Sequence, residues 1–363
     1  MNILFYSAEL APYHIACLAA LAKGGTCKIS VAQAKIKPPH GYDESAHKKY
    51  GINVYQGPEL SWKWGCKQIE QGSFDLVFAH GYYEPDVRKI ISAAKRAKVP
   101  LVMKIDNTAY DKKRFWLSDK LKSIYINHYA DYVMVPGERG TEYIQSLGFP
   151  RARIWRGLFG IDVNFYASEA EKYRLAAAEV RKKLNLPENY FLHCGWINSI
   201  KNVSNLVKGY EKYRKQVENP WGLIMLGKGN LESRIKEMNV GGVELRGFVQ
   251  LNDLPAYYGT ASWFCIVSNS DPWPLALLEA VASGLPSIVS WKCGNSVELI
   301  REGWNGLLCN PSDPESITDC MVIAHNDKIM RATALAQNIY LASCYSAKAW
   351  AQKVDYYLSK INN

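Results

Sequence analysis

Two carboxylates eight residues apart bracket a segment suited to holding an anion: Asp271 in a loop and Glu279 in the helix that follows. Pro274 stands between them where that helix begins, a position at which a missing N–H costs nothing because it would be unpaired anyway. The next amides, on Leu275 and Ala276, then face outward at the positive end of the helix dipole, which favours a diphosphate. Carboxylates accept hydrogen bonds from sugar hydroxyls, which a diphosphate-linked sugar offers at both of its ends. The competing reading is an ordinary helix with solvated acids, and the surrounding residues decide between the two.

Further along the same logic, Phe191 to Asn202 reads as a strand that ends in a turn at Gly195 and opens a helix, with the cation Lys201 close behind. A lysine there would neutralise charge developing on a departing diphosphate. His193, inside the strand, reads as a packed residue. Ser268 to Ser290 resembles the Glu-x7-Glu signature of retaining glycosyltransferases of the GT-B fold, glycosyltransferase family 4. Phe191 to Asn202 is similar to that family's Gly-Arg-x4-Lys element, and Leu226 to Leu231 to its Gly-Asp-Gly-Pro turn. Val243 to Val249 resembles the strand and loop beside the nucleobase, and Cys293 to Glu298 with Gly306 to Leu308 the next loop and strand. Val135 to Gly137, Tyr143 to Gly148 and Gly160 to Phe165 resemble the family's domain-joining region.

The resemblance implies ribose binding by Glu279, sugar contact by Asp271 and amide donation by Leu275 and Ala276. It implies a diphosphate held by Lys201 near Gly195, with Gly227, Lys228, Phe248, Val249 and Pro274 completing the donor site. Three positions depart from the family pattern. Asp271 replaces Glu and shortens the reach by one methylene, and Pro274 replaces Gly and removes an amide donor. Trp196 replaces Arg, and an indole supplies no bidentate fork. Either another cation, with Lys228 the candidate, compensates or turnover is reduced.

The resemblance covers residues 101–311 well and residues 1–100 only in rhythm. Glu9 to His14 stands where family members carry a glycine pair, and Asp106 stands where many place a histidine. Asp106 at a strand's carboxyl end can orient an acceptor hydroxyl or the donor sugar, or it can cap the following turn. With Lys201 and Asp271 it forms the candidate catalytic set. His80 closes Leu76 to His80 and joins Tyr13 and His14 on the acceptor side.

The implied activity is transfer of a sugar from a nucleotide-diphosphate donor to a glycan or lipid-linked acceptor with retention, without metal or further cofactor. Asp-x-Asp, Gly-x-Gly-x-x-Gly after a strand and the P-loop are all missing from the sequence. A nucleotide-sugar epimerase of the same fold, or a nucleotide-sugar-binding protein with little turnover, stays open beside it. Nucleic acid is disfavoured, because the aromatics form no stacking platform.

These residues need a scaffold that brings strand ends together. Strand-like apolar runs alternate with amphipathic stretches twice along the chain, which predicts α/β architecture: two Rossmann-like doubly wound domains facing across a cleft. The boundaries fall at residues 1–163, 164–343 and 344–363, the last a helix that can return to the N-terminal domain. Candidate strands are Ile3–Tyr6, Lys28–Val31, Leu76–Ala79, Leu101–Ile105 and Tyr132–Val135, then Phe191–Cys194, Leu223–Leu226, Val243–Leu245, Trp263–Val267 and Ser287–Val289. Helices are predicted over Asp86–Ala97, Glu138–Leu147, Ala167–Leu184 and Ala347–Ile361.

At 363 residues, with 48% hydrophobic and 21% charged side chains, the chain is long enough for two cores. The opening residues read as a first strand and helix, not a signal peptide. Nine scattered cysteines without a Cys-x-x-Cys pair fit a reducing cytoplasm. A net charge of +10 includes basic runs at Lys89–Lys98 and Lys112–Lys122, the second interleaved with Phe115, Trp116, Leu117 and Leu121. Such runs are either solvated helix faces or a surface that favours anionic lipid headgroups at a membrane periphery, a phosphorylated acceptor or nucleic acid.

Overall fold

Short apolar runs become strands when both of their faces are covered, and in a parallel sheet the crossover helices do the covering. The computed structural model describes residues 1–7, 11–33, 53–56, 58–111 and 114–361. They form two units, Met1–Asp162 with Tyr345–Asn363, and Val163–Cys344.

In the first unit the strands are β1 (Asn2–Ser7), β2 (Lys28–Gln33), β3 (Asn53–Gln56), β4 (Leu76–His80), β5 (Leu101–Lys104), β6 (Tyr132–Val135) and β7 (Ile154–Arg156). They pair in parallel in the order β3-β2-β1-β4-β5-β6-β7, with Ile3 opposite Leu76 and Val77 opposite Leu101. Leu4, Val77, Met103 and Val133 are fully buried in the core of this sheet. The helix Ala347–Ile361 belongs to this unit and buries Trp350, Ala351, Val354 and Leu358. Tyr357 stacks on Trp155 at 4.7 Å, and its hydroxyl accepts the Arg156 N–H at 3.0 Å.

The second unit has β8 (Tyr190–Cys194), β9 (Gly222–Leu226), β10 (Val243–Leu245), β11 (Trp263–Ile266), β12 (Ser287–Ser290) and β13 (Gly306–Cys309). Their order is β10-β9-β8-β11-β12-β13, again parallel. Each sheet reverses its winding once, between β1 and β4 and between β8 and β11. Loops leaving neighbouring strands diverge at such a switch point and open a crevice for ligands.

Two expectations are corrected. The single helix expected over Ala167–Leu184 begins at Val163 and is broken at Ala176 (φ −101°, ψ 25°) into Val163–Leu175 and Ala177–Leu184. The end bounds form the second correction: Leu101–Ile105, Trp263–Val267 and Glu138–Leu147 each stop one residue sooner, at Lys104, Ile266 and Ser146. The Lys89–Lys98 run is the solvated face of helix Pro85–Ala97, where Lys89 pairs with Asp86 at 3.1 Å and Arg96 with Glu70 at 2.7 Å. Of the second basic run, Lys112 and Lys113 lie outside the described residues, as do Glu9 and Leu10. Lys122 is paired with Asp119 at 2.7 Å, and helix Trp116–Tyr129 exposes the large apolar side chains Trp116, Leu117, Leu121 and Ile124 together with Lys120, Asn127 and His128. Among the described residues no helix is long and apolar enough to cross a membrane.

Candidate donor and acceptor sites

The second unit gathers its candidate residues on the loops that leave β8, β9 and β11. After β8, Gly195 donates its N–H to the Leu226 carbonyl at 3.0 Å, and Ile197 donates to Lys228 at 3.0 Å. A Cβ on Gly227 would sit 1.8 Å from the Gly195 carbonyl oxygen, so glycine is required for the two loops to meet backbone to backbone. Gly227 in turn donates to the Gly247 carbonyl at 2.7 Å, which ties in the loop carrying Phe248 and Val249. Lys228, Trp196 and Phe248 are exposed on this platform. His193 is fully buried, its Nδ1 3.1 Å from the Cys265 carbonyl, and burial lowers its pKa to about 4, so it is a neutral packed residue.

The loop after β11 is fastened across the switch point. Asn269 donates its backbone N–H to the Ile200 carbonyl at 2.8 Å and its side-chain amide to Ser199 at 3.1 Å. This brings Lys201 and Asp271, 70 residues apart in sequence, into a direct ion pair. The lysine is positioned through its own N–H, which donates to Asn198 Oδ1 at 2.9 Å, and the aspartate through its carbonyl, which accepts the Gly294 N–H at 2.8 Å.

Pro274 immediately precedes helix Leu275–Ala282, and its carbonyl accepts both the Leu277 N–H at 3.2 Å and the Asn295 side-chain amide at 2.9 Å. The Leu275 and Ala276 amides donate to no acceptor among the described residues. Glu279 lies one turn further on. Its carboxylate accepts the Tyr258 hydroxyl at 3.0 Å. Burial raises its pKa, and the nearby Tyr166 and Tyr258 hydroxyls draw it back down. The arrangement therefore offers a cation, two bare amides and a tethered carboxylate on neighbouring loops, which is what a nucleoside diphosphate presents groups for.

In the first unit Tyr13, His14 and His80 form one ring cluster, with centroids 4.2 Å apart for Tyr13 and His14 and 5.6 Å for His14 and His80. Asp106 follows β5 and is exposed. Burial and the charge of Lys104 lower His80 to about 3 and hold His14 well below its ordinary value. Sequence reasoning passed over Lys104, which is buried at the end of β5, over Tyr258, whose hydroxyl donates to Glu279, and over Tyr166, which lies near that carboxylate. For Lys104 a signal existed: a lysine closing an apolar strand run has little water around it. No local pattern marks the two tyrosines.

Residues 177–341 match the family model described as glycosyl transferases group 1. A glycosyltransferase of Haemophilus influenzae, itself uncharacterized, is 29% identical over 141 residues, 38% of this chain and 39% of that protein. The chain thus spans about two fifths of that relative's length. Among solved structures, Anabaena HepE in complex with UDP and glucose matches with a TM-score of 0.77 at 18% identity, over 99% of this chain and 100% of that one. A glycosyltransferase from Rickettsia africae matches with a TM-score of 0.78 at 14% identity, over 100% and 98%. At these identities the likeness carries the fold alone, and the fold is the GT-B architecture, with a Rossmann-like parallel sheet in each unit.

Proposed function

We propose that this chain, built around the stretch that matches glycosyl transferases group 1, transfers a hexose from uridine diphosphate to a glycan or lipid-linked acceptor, with retention and without a metal. The observation that carries this reading is the Lys201–Asp271 pair beside the bare Leu275 and Ala276 amides, with Glu279 on the same helix. The complex of Anabaena HepE with UDP and glucose supports the choice of donor.

In this reading Glu279 accepts the ribose hydroxyls, and the amides and Lys201 hold the diphosphate. As the anomeric bond breaks, negative charge grows on the leaving phosphate, and Lys201 moves part of its interaction from Asp271 to that oxygen. Asp271 is released to accept a sugar hydroxyl. The oxocarbenium-like carbon is attacked by the acceptor oxygen from the face the diphosphate leaves, and a phosphate oxygen takes the acceptor's proton. Asp106 orients the acceptor hydroxyl. A lysine and two amides supply the neutralisation that a metal gives elsewhere.

The apolar face of helix Trp116–Tyr129 supports a peripheral contact with a lipid surface: Trp116, Leu117, Leu121 and Ile124 are exposed beside Lys120. Sedimentation with anionic phospholipid vesicles should capture the wild type and lose Leu121→Ser with Trp116→Ser.

The transferase reading is tested by incubating the chain with UDP-glucose, with and without glycan or lipid acceptors and with chelator present throughout. Acceptor-dependent release of UDP that survives the chelator supports it. A changed sugar released without acceptor points to an epimerase, and nucleotide binding with no turnover points to a binding protein.

A further inference from the structure

Among the described residues of the first unit, the buried Lys104 side chain and the buried His14 Nε2 have no hydrogen-bond acceptor. A cavity of about 20 Å³ is lined by Tyr6, Ser7, Tyr13, His14, Cys17 and Lys104 among others. Lys104 is 5% exposed, and its ammonium makes no hydrogen bond or ion pair with any described residue. Burial pushes its pKa down to about 8, while Cys17 and Asp106 pull the other way. Cys17 is no counter-ion: burial raises its thiol to about 12, and the S–H donates to the Gly160 carbonyl at 3.4 Å.

The second donor is on His14, which is 8% exposed. Its Nδ1 accepts the Ala11 N–H at 3.4 Å, which leaves the ring hydrogen on Nε2, and Nε2 has no partner. His80 beside it is held neutral by burial and by Lys104, so it brings no negative charge. A buried ammonium without a partner is strongly unfavourable, and a buried N–H without an acceptor adds to the cost. One kind of group answers both, an anionic oxygen.

We propose that this pocket binds an oxyanion, the phosphoryl or carboxylate group of an acidic acceptor, with Lys104 as its counter-charge and His14 Nε2–H as its second donor. A cavity of about 20 Å³ has room for an oxygen or two and none for a sugar ring, so the pocket reads the charged tip of the ligand. That the ligand is an acceptor rests on the transferase reading, whereas the anion site itself does not.

The test is calorimetric titration of the whole chain with inorganic phosphate and, separately, with acetate. It compares wild type, Lys104→Met, His14→Gln and, to remove anion binding in the second unit, Lys201→Met. Wild type and Lys201→Met should bind at least one anion, with Lys104→Met weaker by about tenfold or more and His14→Gln by about fivefold. Preference for phosphate assigns a phosphorylated acceptor and preference for acetate a carboxylated one. Equal anion binding by wild type, Lys104→Met and His14→Gln, or no anion binding by Lys201→Met, overturns the site. A circular dichroism spectrum and a cooperative unfolding transition of wild-type amplitude show that Lys104→Met is folded in both units, and His14→Gln supplies the same comparison should that variant fail to fold. Failure of sugar transfer alone would remove the acceptor label and leave the anion site standing.

Discussion

In the second unit Lys201 is answered by Asp271, and Glu279 by Tyr258, whereas in the first unit Lys104 lies buried without a hydrogen bond or ion pair among the described residues. Both groups sit at the carboxyl edge of a parallel sheet with one reversal of winding. The difference is one of preparation. The second edge has its charges oriented before a ligand arrives, so ligand binding redirects existing interactions at little reorganisation. The first edge stores an unfavourable charge that only a ligand relieves, and such a site discriminates sharply against molecules lacking the complementary group.

Substitutions can break each half of that contrast. Lys201→Met should have the largest effect, lowering kcat by about a hundredfold or more, because it removes the cation facing the leaving group. It also leaves Asp271 without its partner, so a steady-state rate measured beside donor affinity will show whether kcat falls more than binding. Glu279→Ala should weaken UDP binding by tens to about a hundredfold through loss of charged hydrogen bonds to the ribose, measurable by titration calorimetry.

Lys104→Met acts on stability, with a pH signature. The folded pKa lies at about 8 against an ordinary 10.5, a gap of about 3 kcal/mol. Below pH 8 the charged lysine destabilises the fold by that full amount. Between about 8 and 10.5 the folded chain sheds its proton before the unfolded chain does, so wild-type stability rises with pH across that window. Denaturant unfolding should find the variant more stable than wild type at pH 7.5, with the gap closing toward pH 10.5.

The smallest effect belongs to Tyr258→Phe, which deletes one hydrogen bond to Glu279 at 3.0 Å. It should cost about 1 kcal/mol of donor binding, a few-fold in affinity. Losing that bond also raises the carboxyl pKa further, so the acid limb of the binding profile should move to higher pH.

How much of this was legible in the sequence follows from how local each cause is. Tyr132–Val135 and Val243–Leu245 are strands at the expected bounds, since short apolar runs between turn residues carry their own signal. Asn53–Gln56 was passed over because a polar run on the sheet's outer strand has no such signal. The break at Ala176 was hidden by a composition that is helical on both sides of it. At the donor site, the turn before Leu275 could be read from Pro274 and the residues around it. The Lys201–Asp271 pair could not, because its partners meet only when the loops after β8 and β11 converge. Lys104 closes an apolar strand run, which signals burial, but the residues that line its cavity, Cys17, His14 and Trp350 among them, are distant in sequence and could not be read beside it.

The most direct measurement is a crystal structure of the chain with UDP. The account predicts diphosphate oxygens within hydrogen-bonding distance of the Leu275 and Ala276 amides, Lys201 turned toward them, and the ribose hydroxyls on Glu279. Nucleotide density elsewhere, with Lys201 still closed on Asp271 and the Leu275 amide facing solvent, would contradict it.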